Sequence, residues 1–269
     1  MNFSHRKPSV AKIQEPSLQE HEYFNVKTPV VLAHRGGSIP SENTLEAFKV
    51  SLECGVFAIE TDVRTTKNGV AVLFHDEDLL RVAGIEKRIS ELSFAELQSI
   101  KLFGGGKVPS LVQTLEALPL ARFNLDIKDD QSISTAADAI ERTGSHNRVL
   151  VSSFSEKRRK ATLNLLSQPV ATSASASIVI KLWLIHLFRL PQVLMKKLLM
   201  NIGAIQIPRS MYGIKLDSRS FIQKVLRTGT HVHYWTINNP QEMLELTKRG
   251  ATGIVSDVSE LAVQTLRKA

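Results

Sequence analysis

Short apolar runs recur along the chain, and helical patterns separate most of them. The run before His34 reads VVLA, without the alternation of a half-exposed strand, which is typical of a parallel strand buried on both faces. Segments such as TAADAIERTG and QEMLELTKRG show helical spacing and end in Gly. The strand-like segments counted in this way are VVLAHRG, FAIETDV, RFNLDIK, RVLVSSF, VATSAS, AIQIP, HVHYWTI and GIVSD. Eight alternating strand–helix units predict an α/β fold, a closed (β/α)8 TIM barrel.

A further strand-like segment, VAVLFHD, lies outside these units because a turn signal precedes it. Lys67-Asn68-Gly69 separates it from FAIETDV, and Asn-Gly is the strongest short hairpin signal. VAVLFHD is therefore expected to run back antiparallel as a β-hairpin above the C-terminal rim of the barrel. This turn would return His75 to that rim.

A helix is predicted directly after the first strand. Asn43 is the expected N-cap, and Glu46 would complete a capping box. Gly55 follows the last apolar position and is expected to end the helix. The segment between His34 and the helix is thus predicted to be a loop at the C-terminal end of the first strand.

Composition limits both the fold and the ligand. The 269 residues, 43% of them hydrophobic, fit one barrel domain at 29–269 after a polar, partly disordered extension at 1–28. The extension lacks the apolar core of a secretory signal, so a cytoplasmic location is expected. The net charge of +8 suits a phosphodiester, a nucleic acid or an acidic membrane surface. Nucleic acid is the least favoured of these, because only 6% of residues are aromatic and no nucleic-acid-binding motif is present.

Three carboxylates fall at the ends of neighbouring predicted strands. Glu60 and Asp62 have the two-residue spacing that places both on one side of a strand, and Asp126 ends the next barrel strand. In a dry barrel these carboxylates would repel one another unless a cation lay between them. Oxygen ligands suit a hard divalent cation such as Mg²⁺ or Ca²⁺. Lys128 follows two residues later and would balance part of the charge.

Two histidines and an arginine are predicted at the same rim. His34 ends the first strand, and the hairpin brings in His75 from a separate element. Imidazole can accept or donate a proton near neutral pH, as general acid–base catalysis requires. The guanidinium fork of Arg35 matches two phosphate oxygens.

These residues belong to a series of motifs that resembles the glycerophosphodiester phosphodiesterase family. The motifs are HRG at 34–36, SENT at 41–44, ETD at 60–62, HD at 75–76, VPSLVQTLEAL from 108, NLDIK from 124, SSF from 152, HYWTINNP from 233 and GIVSD from 253. The resemblance spans about residues 30–265 and implies metal-dependent hydrolysis of a glycerophosphodiester to an alcohol and sn-glycerol 3-phosphate.

The resemblance also implies roles for individual residues. His34 would act as nucleophile or general base and His75 as general acid, although the sequence does not settle which does which. Glu60, Asp62 and Asp126 would hold the metal, with Asp126 standing where the family usually has Glu. Arg35, Lys128 and Trp235 would bind substrate, Trp235 as a wall of the pocket for the alcohol, and Glu42 would position the loop and His34. His233 is equally compatible with the pocket mouth and with the core.

Two other functions stay open at this point. One is a lysophospholipase D, which would release lysophosphatidate from a lysophospholipid at a membrane surface. The other is an inactive phosphate-binding or membrane-scaffold barrel. The complete set of acid–base and metal-binding candidates argues against the inactive barrel.

Residues 178–200 depart from the barrel pattern. They are too charged and interrupted to span a bilayer, and Pro191 is expected to split them into two short helices. On a helical wheel, one narrow wedge holds the polar residues Lys181, Arg189, Gln192 and Lys196, beside a wide apolar remainder. Such a segment can lie on an anionic membrane surface beside the barrel mouth, or it can cap the barrel or form a dimer contact.

Overall fold

The computed structural model describes residues 21–37, 41–211 and 213–268. The described strands are β1 Val30–His34, β2 Ala58–Thr65, β3 Ala71–Leu73, β4 Asp78–Leu79, β5 Ile85–Arg88, β6 Phe123–Ile127, β7 Val149–Ser152, β8 Ala171–Thr172, β9 Ala204–Ile207, β10 Ser210–Met211, β11 Ile214–Lys215, β12 His231–Tyr234 and β13 Gly253–Ser256. Eight of them are parallel and follow one another around a barrel in the order β8-β7-β6-β2-β1-β13-β12-β9.

The barrel closes where β8 meets β9. A parallel bridge joins Ser173 to Ala204. The Ala174 N–H donates to the Ala204 carbonyl at 2.9 Å, and the Gly203 N–H donates to the Thr172 carbonyl at 3.0 Å. The predicted (β/α)8 barrel is therefore confirmed, and its eight strands are the eight segments identified in the sequence.

Most of the described helices connect the barrel strands and cover the outside of the barrel. Their bounds are α1 Leu45–Glu53, α2 Leu80–Ala83, α3 Phe94–Ser99, α4 Leu111–Ala117, α5 Ser132–Thr143, α6 Glu156–Asn164, α7 Ala176–Leu187, α8 Gln192–Leu199, α9 Arg219–Leu226, α10 Pro240–Arg249 and α11 Ser259–Arg267. The predicted capping box at α1 is wrong. Thr44 is the N-cap and its hydroxyl accepts from the Ala47 N–H at 3.2 Å, whereas Asn43 adopts a positive φ of 56° and turns its side chain toward the barrel.

A short 3-10 helix, Glu22–Phe24, covers the N-terminal end of the barrel. The rings of Tyr23 and Phe24 are buried among apolar side chains from the first residues of the barrel strands, such as Val30 and Ala58. Tyr23 and Phe24, which the sequence analysis assigns to the extension, thus pack against the barrel. Residues 1–20, with the predictions of disorder and of no secretory signal, lie outside the described residues.

A hairpin and a small insertion lie above the C-terminal rim. β2 pairs with β3 in antiparallel register, from Val63 opposite Leu73 to Thr65 opposite Ala71, which confirms the predicted hairpin. The β4–β5 hairpin and α3 follow, and they enclose a separate apolar core. The members of this core include Val72, Phe74, Leu79, Ile89, Leu92, Leu97, Leu102 and Val108. This core fixes the position of His75 and Asp76, which directly follow Phe74.

The segment at 178–200 forms two helices, α7 and α8, which separate at Pro191 as predicted. Ile178, Leu182 and Ile185 of α7 and Met195 of α8 are buried against the barrel. Throughout the part of the chain that the structure describes, no helix combines the length and apolar composition needed to cross a membrane.

Candidate active site

Strand register brings the sequence-predicted residues to one edge of the barrel. His34 at the end of β1 lies opposite Glu60 of β2, and Asp62 of β2 lies opposite Asp126 of β6. Because the side chains of alternate residues share a face, Glu60 and Asp62 both turn toward the barrel mouth. His75 reaches the same cavity from the segment after β3.

The loop after β1 turns sharply over three residues with positive φ. Arg35, Gly36 and Gly37 have φ of 53°, 85° and 83°. A Cβ on Gly36 would lie 2.7 Å from Cδ1 of Phe48, so no other residue fits there without displacing that ring. The left-handed conformation is unusual for Arg, and such positions cluster at functional sites.

The Arg35 side chain lies between two carboxylates. Its Nη1 donates to Glu42 Oε1 at 3.1 Å, and its Nε lies 3.5 Å from Asp62 Oδ2. This Nε is buried and has no hydrogen-bond partner among the described residues. Glu42 therefore lies beside Arg35, and its carboxylate accepts hydrogen bonds from Arg35 and Arg81.

Asn43 contributes to the site in a way that the sequence analysis did not predict. Its Oδ1 accepts from the Thr61 hydroxyl at 2.6 Å, and its Nδ2 donates to Asp62 Oδ2 at 3.4 Å. Asn tolerates a positive φ better than most residues do, but only the barrel places Thr61 within reach of the Asn43 side chain. Asn43 thus ties the first loop to the carboxylate pair on β2.

The three carboxylates are buried, and two of them share one ammonium group. Lys128 Nζ lies 2.7 Å from Asp62 Oδ1 and 2.7 Å from Asp126 Oδ2. Burial alone would raise the pKa of Asp62, but Lys128 and neighbouring cations hold it below its ordinary value. Burial raises the pKa of Asp126, and burial together with the charge of Asp62 raises the pKa of Glu60 to about 7. Negative charge at Glu60 is therefore the least compensated of the three.

Each histidine has a carboxylate on its Nδ1. His34 Nδ1 donates to Asp257 Oδ1 at 2.6 Å, and Asp257 Oδ2 accepts from the Asn238 amide at 2.8 Å. Burial lowers the pKa of His34, but the hydrogen bond to Asp257 and the charge of Glu60 outweigh it and raise the pKa overall. The sequence analysis assigns no role to Asp257, although this residue ends the GIVSD motif. The signal was available, because the first and last strands of a closed barrel are neighbours.

The second histidine is held by a different arrangement. His75 Nδ1 lies 2.8 Å from Asp76 Oδ1, and Arg81 Nε donates to Asp76 Oδ2 at 2.6 Å. The same guanidinium donates from Nη1 and Nη2 to Glu42, at 3.1 and 2.5 Å. Arg81, which the sequence analysis did not single out, therefore links the carboxylate beside His75 to the carboxylate beside Arg35.

A cavity of about 440 Å³ opens above these groups. Its polar floor includes His34, Arg35, Glu60, Asp62, His75, Asp126 and Lys128. Its other side is apolar, formed by Phe154, Ala174, Val179, Ile207, Met211, Leu216 and Trp235. His233 does not line it; the imidazole is buried inside the barrel beneath, where burial lowers its pKa to about 3.

A cavity with two carboxylate-held imidazoles, an arginine and a carboxylate cluster defines an acid–base hydrolase of a phosphorylated substrate. The model of the glycerophosphoryl diester phosphodiesterase family matches residues 34–261. The chain belongs to this family of phosphoric diester hydrolases, as the motifs predicted.

Known relatives agree with this assignment. A Mycobacterium tuberculosis protein named "Probable glycerophosphodiester phosphodiesterase 2" is 33% identical over 235 residues, which cover 86% of this chain and 88% of the relative. A human lysophospholipase D is 27% identical over 259 residues, covering 84% of this chain and 82% of that protein. An Oleispira antarctica phosphodiesterase, solved with the product sn-glycerol-3-phosphate, superposes with a TM-score of 0.72 at 20% identity, covering 89% of this chain and 97% of that one.

Proposed function

We propose that this enzyme hydrolyses glycerophosphodiesters to an alcohol and sn-glycerol 3-phosphate with the help of a divalent cation. The observation that supports this most strongly is the pairing of His34 and His75, each with its own carboxylate, across a buried carboxylate cluster. Hydrolysis of a phosphodiester needs one group that attacks or activates the attacking oxygen and one that protonates the leaving alkoxide. Two imidazoles from separate elements supply both.

The donor set fits a divalent cation. Glu60, Asp62 and Asp126 offer only oxygen ligands, as Mg²⁺ and Ca²⁺ require. Burial and the charge of Asp62 raise the pKa of Glu60, and a cation bound beside it would favour the charged carboxylate. Among the described residues, no group of three His, Cys, Asp or Glu side chains is already arranged around a single metal position, and Lys128 lies between two of the three carboxylates. When bound by these carboxylates, the cation would neutralise charge on the phosphate oxygens.

The histidines perform the proton transfers. Asp257 accepts the Nδ1 proton of His34, so the neutral ring carries its lone pair on Nε2, where it can attack phosphorus or accept a proton. Asp76 lies on Nδ1 of His75 in the same way, so Nε2 of His75 is the atom that would protonate the leaving alkoxide. We therefore propose His34 as nucleophile or general base and His75 as general acid, the roles that the family resemblance implies.

The two sides of the cavity would bind different parts of the substrate. Arg35 and Lys128 carry fixed positive charges at the floor and would bind the phosphate, the Arg in a bidentate manner. Glu42 orients Arg35, because it accepts a hydrogen bond from Nη1. Trp235, which packs edge-to-face on Phe154 with ring centroids 5.9 Å apart, would form the wall beside the alcohol.

A lysophospholipid is a second candidate substrate, favoured by the apolar side of the cavity. Val179, Met211 and Leu216 line it beyond Trp235, and a small hydrophilic alcohol would leave these side chains uncovered. The human relative that carries the name lysophospholipase D is consistent with an acyl chain at this position. An inactive scaffold is less favoured, because every residue of the acid–base and carboxylate sets is present.

A turnover screen tests both substrates. Glycerophosphocholine, glycerophosphoethanolamine, glycerophosphoglycerol and lysophosphatidylcholine are each incubated with the enzyme after EDTA dialysis, with and without Mg²⁺, Mn²⁺ or Ca²⁺. We expect sn-glycerol 3-phosphate or lysophosphatidate to form only when metal is added. Full activity in excess EDTA would refute the metal-dependent proposal.

Variants of the two histidines test their roles in the same assay. His34→Ala and His75→Ala should each lower kcat by roughly a hundredfold or more, with little change in Tm. His21→Ala is a matched control, since His21 lies near Pro169 at the opposite end of the barrel and should keep normal turnover. Normal kcat in His75→Ala would show that the hairpin does not deliver an acid.

A further inference from the structure

Helices α7 and α8 present an exposed apolar surface. Sixteen large hydrophobic residues are exposed among those that the structure describes, and eight of them lie within residues 180–200. They are Ile180, Leu184, Leu187, Phe188, Leu190, Val193, Leu194 and Met200, here called the α7–α8 surface. Ile180, Leu184 and Leu187 have helical spacing and form one stripe along α7, and Phe188 follows directly at the C-cap. Contiguous exposed apolar residues of this kind mark an interaction site.

The charge around this surface is of one sign. Residues 157–216 contain ten Lys and Arg and no Asp or Glu. Four of these basic residues accompany the apolar stripe, and all four are exposed: Lys181, Arg189, Lys196 and Lys197. An apolar strip beside exposed cations complements a surface that has an apolar interior and anionic headgroups.

Helix α7 also borders the catalytic cavity. α7 begins just after β8 ends, and its residues Ala176 and Val179 line the cavity. Ile180 is the next residue and is 46% exposed, so the apolar lining of the cavity continues along α7 onto the outer surface. A layer that covers the α7–α8 surface would therefore reach the mouth of the active site.

We propose that the α7–α8 surface binds the surface of an anionic phospholipid bilayer and holds the cavity mouth against it. A second copy of the chain fits this surface less well. A two-fold contact places the same patch on both sides of an interface, so the basic residues of the two copies would face one another with no nearby acidic residue from 157–216. The inference concerns binding alone and does not depend on which substrate the enzyme hydrolyses.

Sedimentation of the full chain with vesicles tests the proposal. The vesicles consist either of phosphatidylcholine alone or of phosphatidylcholine mixed with phosphatidylglycerol. We expect the wild-type protein to sediment with the mixed vesicles only, and less as NaCl is raised, because the attraction to headgroups is screened. Equal sedimentation with both vesicle types, or with neither at low salt, would overturn the proposal.

Two sets of variants separate the apolar and the charged contributions. Leu184→Ser/Leu187→Ser/Phe188→Ser should weaken partitioning at least about 30-fold, because these side chains would otherwise insert between the lipids. Lys196→Gln/Lys197→Gln should weaken it about 30-fold, as expected for two basic residues close to the headgroups. Turnover of glycerophosphocholine should not change in either variant, since none of these residues lines the cavity.

Matched controls exclude general effects of polarity, charge and folding. Leu120→Ser/Leu165→Ser removes exposed apolar residues elsewhere, and Lys248→Gln/Lys268→Gln removes the same charge from α10 and the C-terminal residues after α11. Both should sediment like the wild type. If the controls lose binding equally, the contact is not specific to the α7–α8 surface. If light scattering finds a wild-type dimer that the triple Ser variant dissociates, the surface is a self-contact and the membrane proposal is wrong.

Discussion

Asp257→Asn is expected to impair the enzyme more than Asp257→Ala, although Asn is closer to Asp in shape. Asn238 has a fixed orientation, because its Oδ1 accepts from the Asp257 N–H at 2.9 Å and from the Ser256 hydroxyl at 3.0 Å. Its Nδ2 therefore donates to the second side-chain oxygen of Asp257, at 2.8 Å. An Asn at 257 satisfies this donor by turning its own oxygen toward Asn238, which turns its NH2 group toward His34.

That rotation changes the tautomer of His34. The new NH2 group requires an acceptor at Nδ1, so the proton of the neutral ring moves to Nε2, and Nε2 can no longer attack or accept a proton. A hydrogen bond to a charged group contributes about 1.5–3 kcal/mol. Because the Asp257 side chain is 43% exposed, we take about 1.5 kcal/mol, or roughly a tenfold lower kcat, for Asp257→Ala. Asp257→Asn should lower kcat by about a hundredfold or more, the usual contribution of a general acid or base.

Steady-state turnover of glycerophosphocholine over a range of pH measures both effects. In Asp257→Ala the removal of the carboxylate lowers the pKa of His34, so the limb of the pH profile that reports His34 should move to lower pH. Asp138→Asn, on the exposed surface of α5, is the control and should leave the profile unchanged. A kcat for Asp257→Asn equal to or above that of Asp257→Ala would refute the tautomer reasoning.

Three further substitutions have definite expected outcomes. Arg81→Gln should lower kcat severalfold with little change in Tm, because an exposed ion pair stabilises the fold by only about 0.2–1 kcal/mol. Arg81→Lys should recover only part of the activity, since Lys lacks the guanidinium fork that reaches both Asp76 and Glu42. Lys128→Met should destabilise the EDTA-treated protein by about 3 kcal/mol or more, because it leaves Asp62 and Asp126 buried without their cation. Calorimetry should then find a larger rise in Tm on adding Mg²⁺ than it finds for the wild type. An equal rise in Tm would argue against a carboxylate site shared by Lys128 and the metal. Hydrogen bonds from Ser167 and His146 lower the pKa of Glu141 from 4.5 to about 2. The Tm difference between the wild type and Glu141→Gln should therefore be full above pH 4.5 and vanish as the pH falls through about 2. A Tm difference that does not vary with pH would contradict this.

Local patterns in the sequence were sufficient for the barrel and for most of the carboxylate rim. The apolar runs and their helical spacers reflect burial at each position, so they identified all eight barrel strands. Glu60 and Asp62 share a face because side chains alternate along any strand. The Asn68-Gly69 turn placed His75 at the rim because turn geometry is local. These features depend on residues that are close together in the chain, so they can be predicted from the sequence alone.

The tertiary structure decided which groups contact the catalytic side chains. Asp257 lies 223 residues from His34 in the chain and reaches it only because β13 pairs with β1. The prediction of Asn43 as a helix cap failed for a related reason, because the barrel offers it Thr61 and Asp62 instead. Exposure of the α7 stripe likewise depends on which face of α7 the barrel covers. Partners across a closed barrel are set by strand order and packing, and no local periodicity in the sequence carries that information.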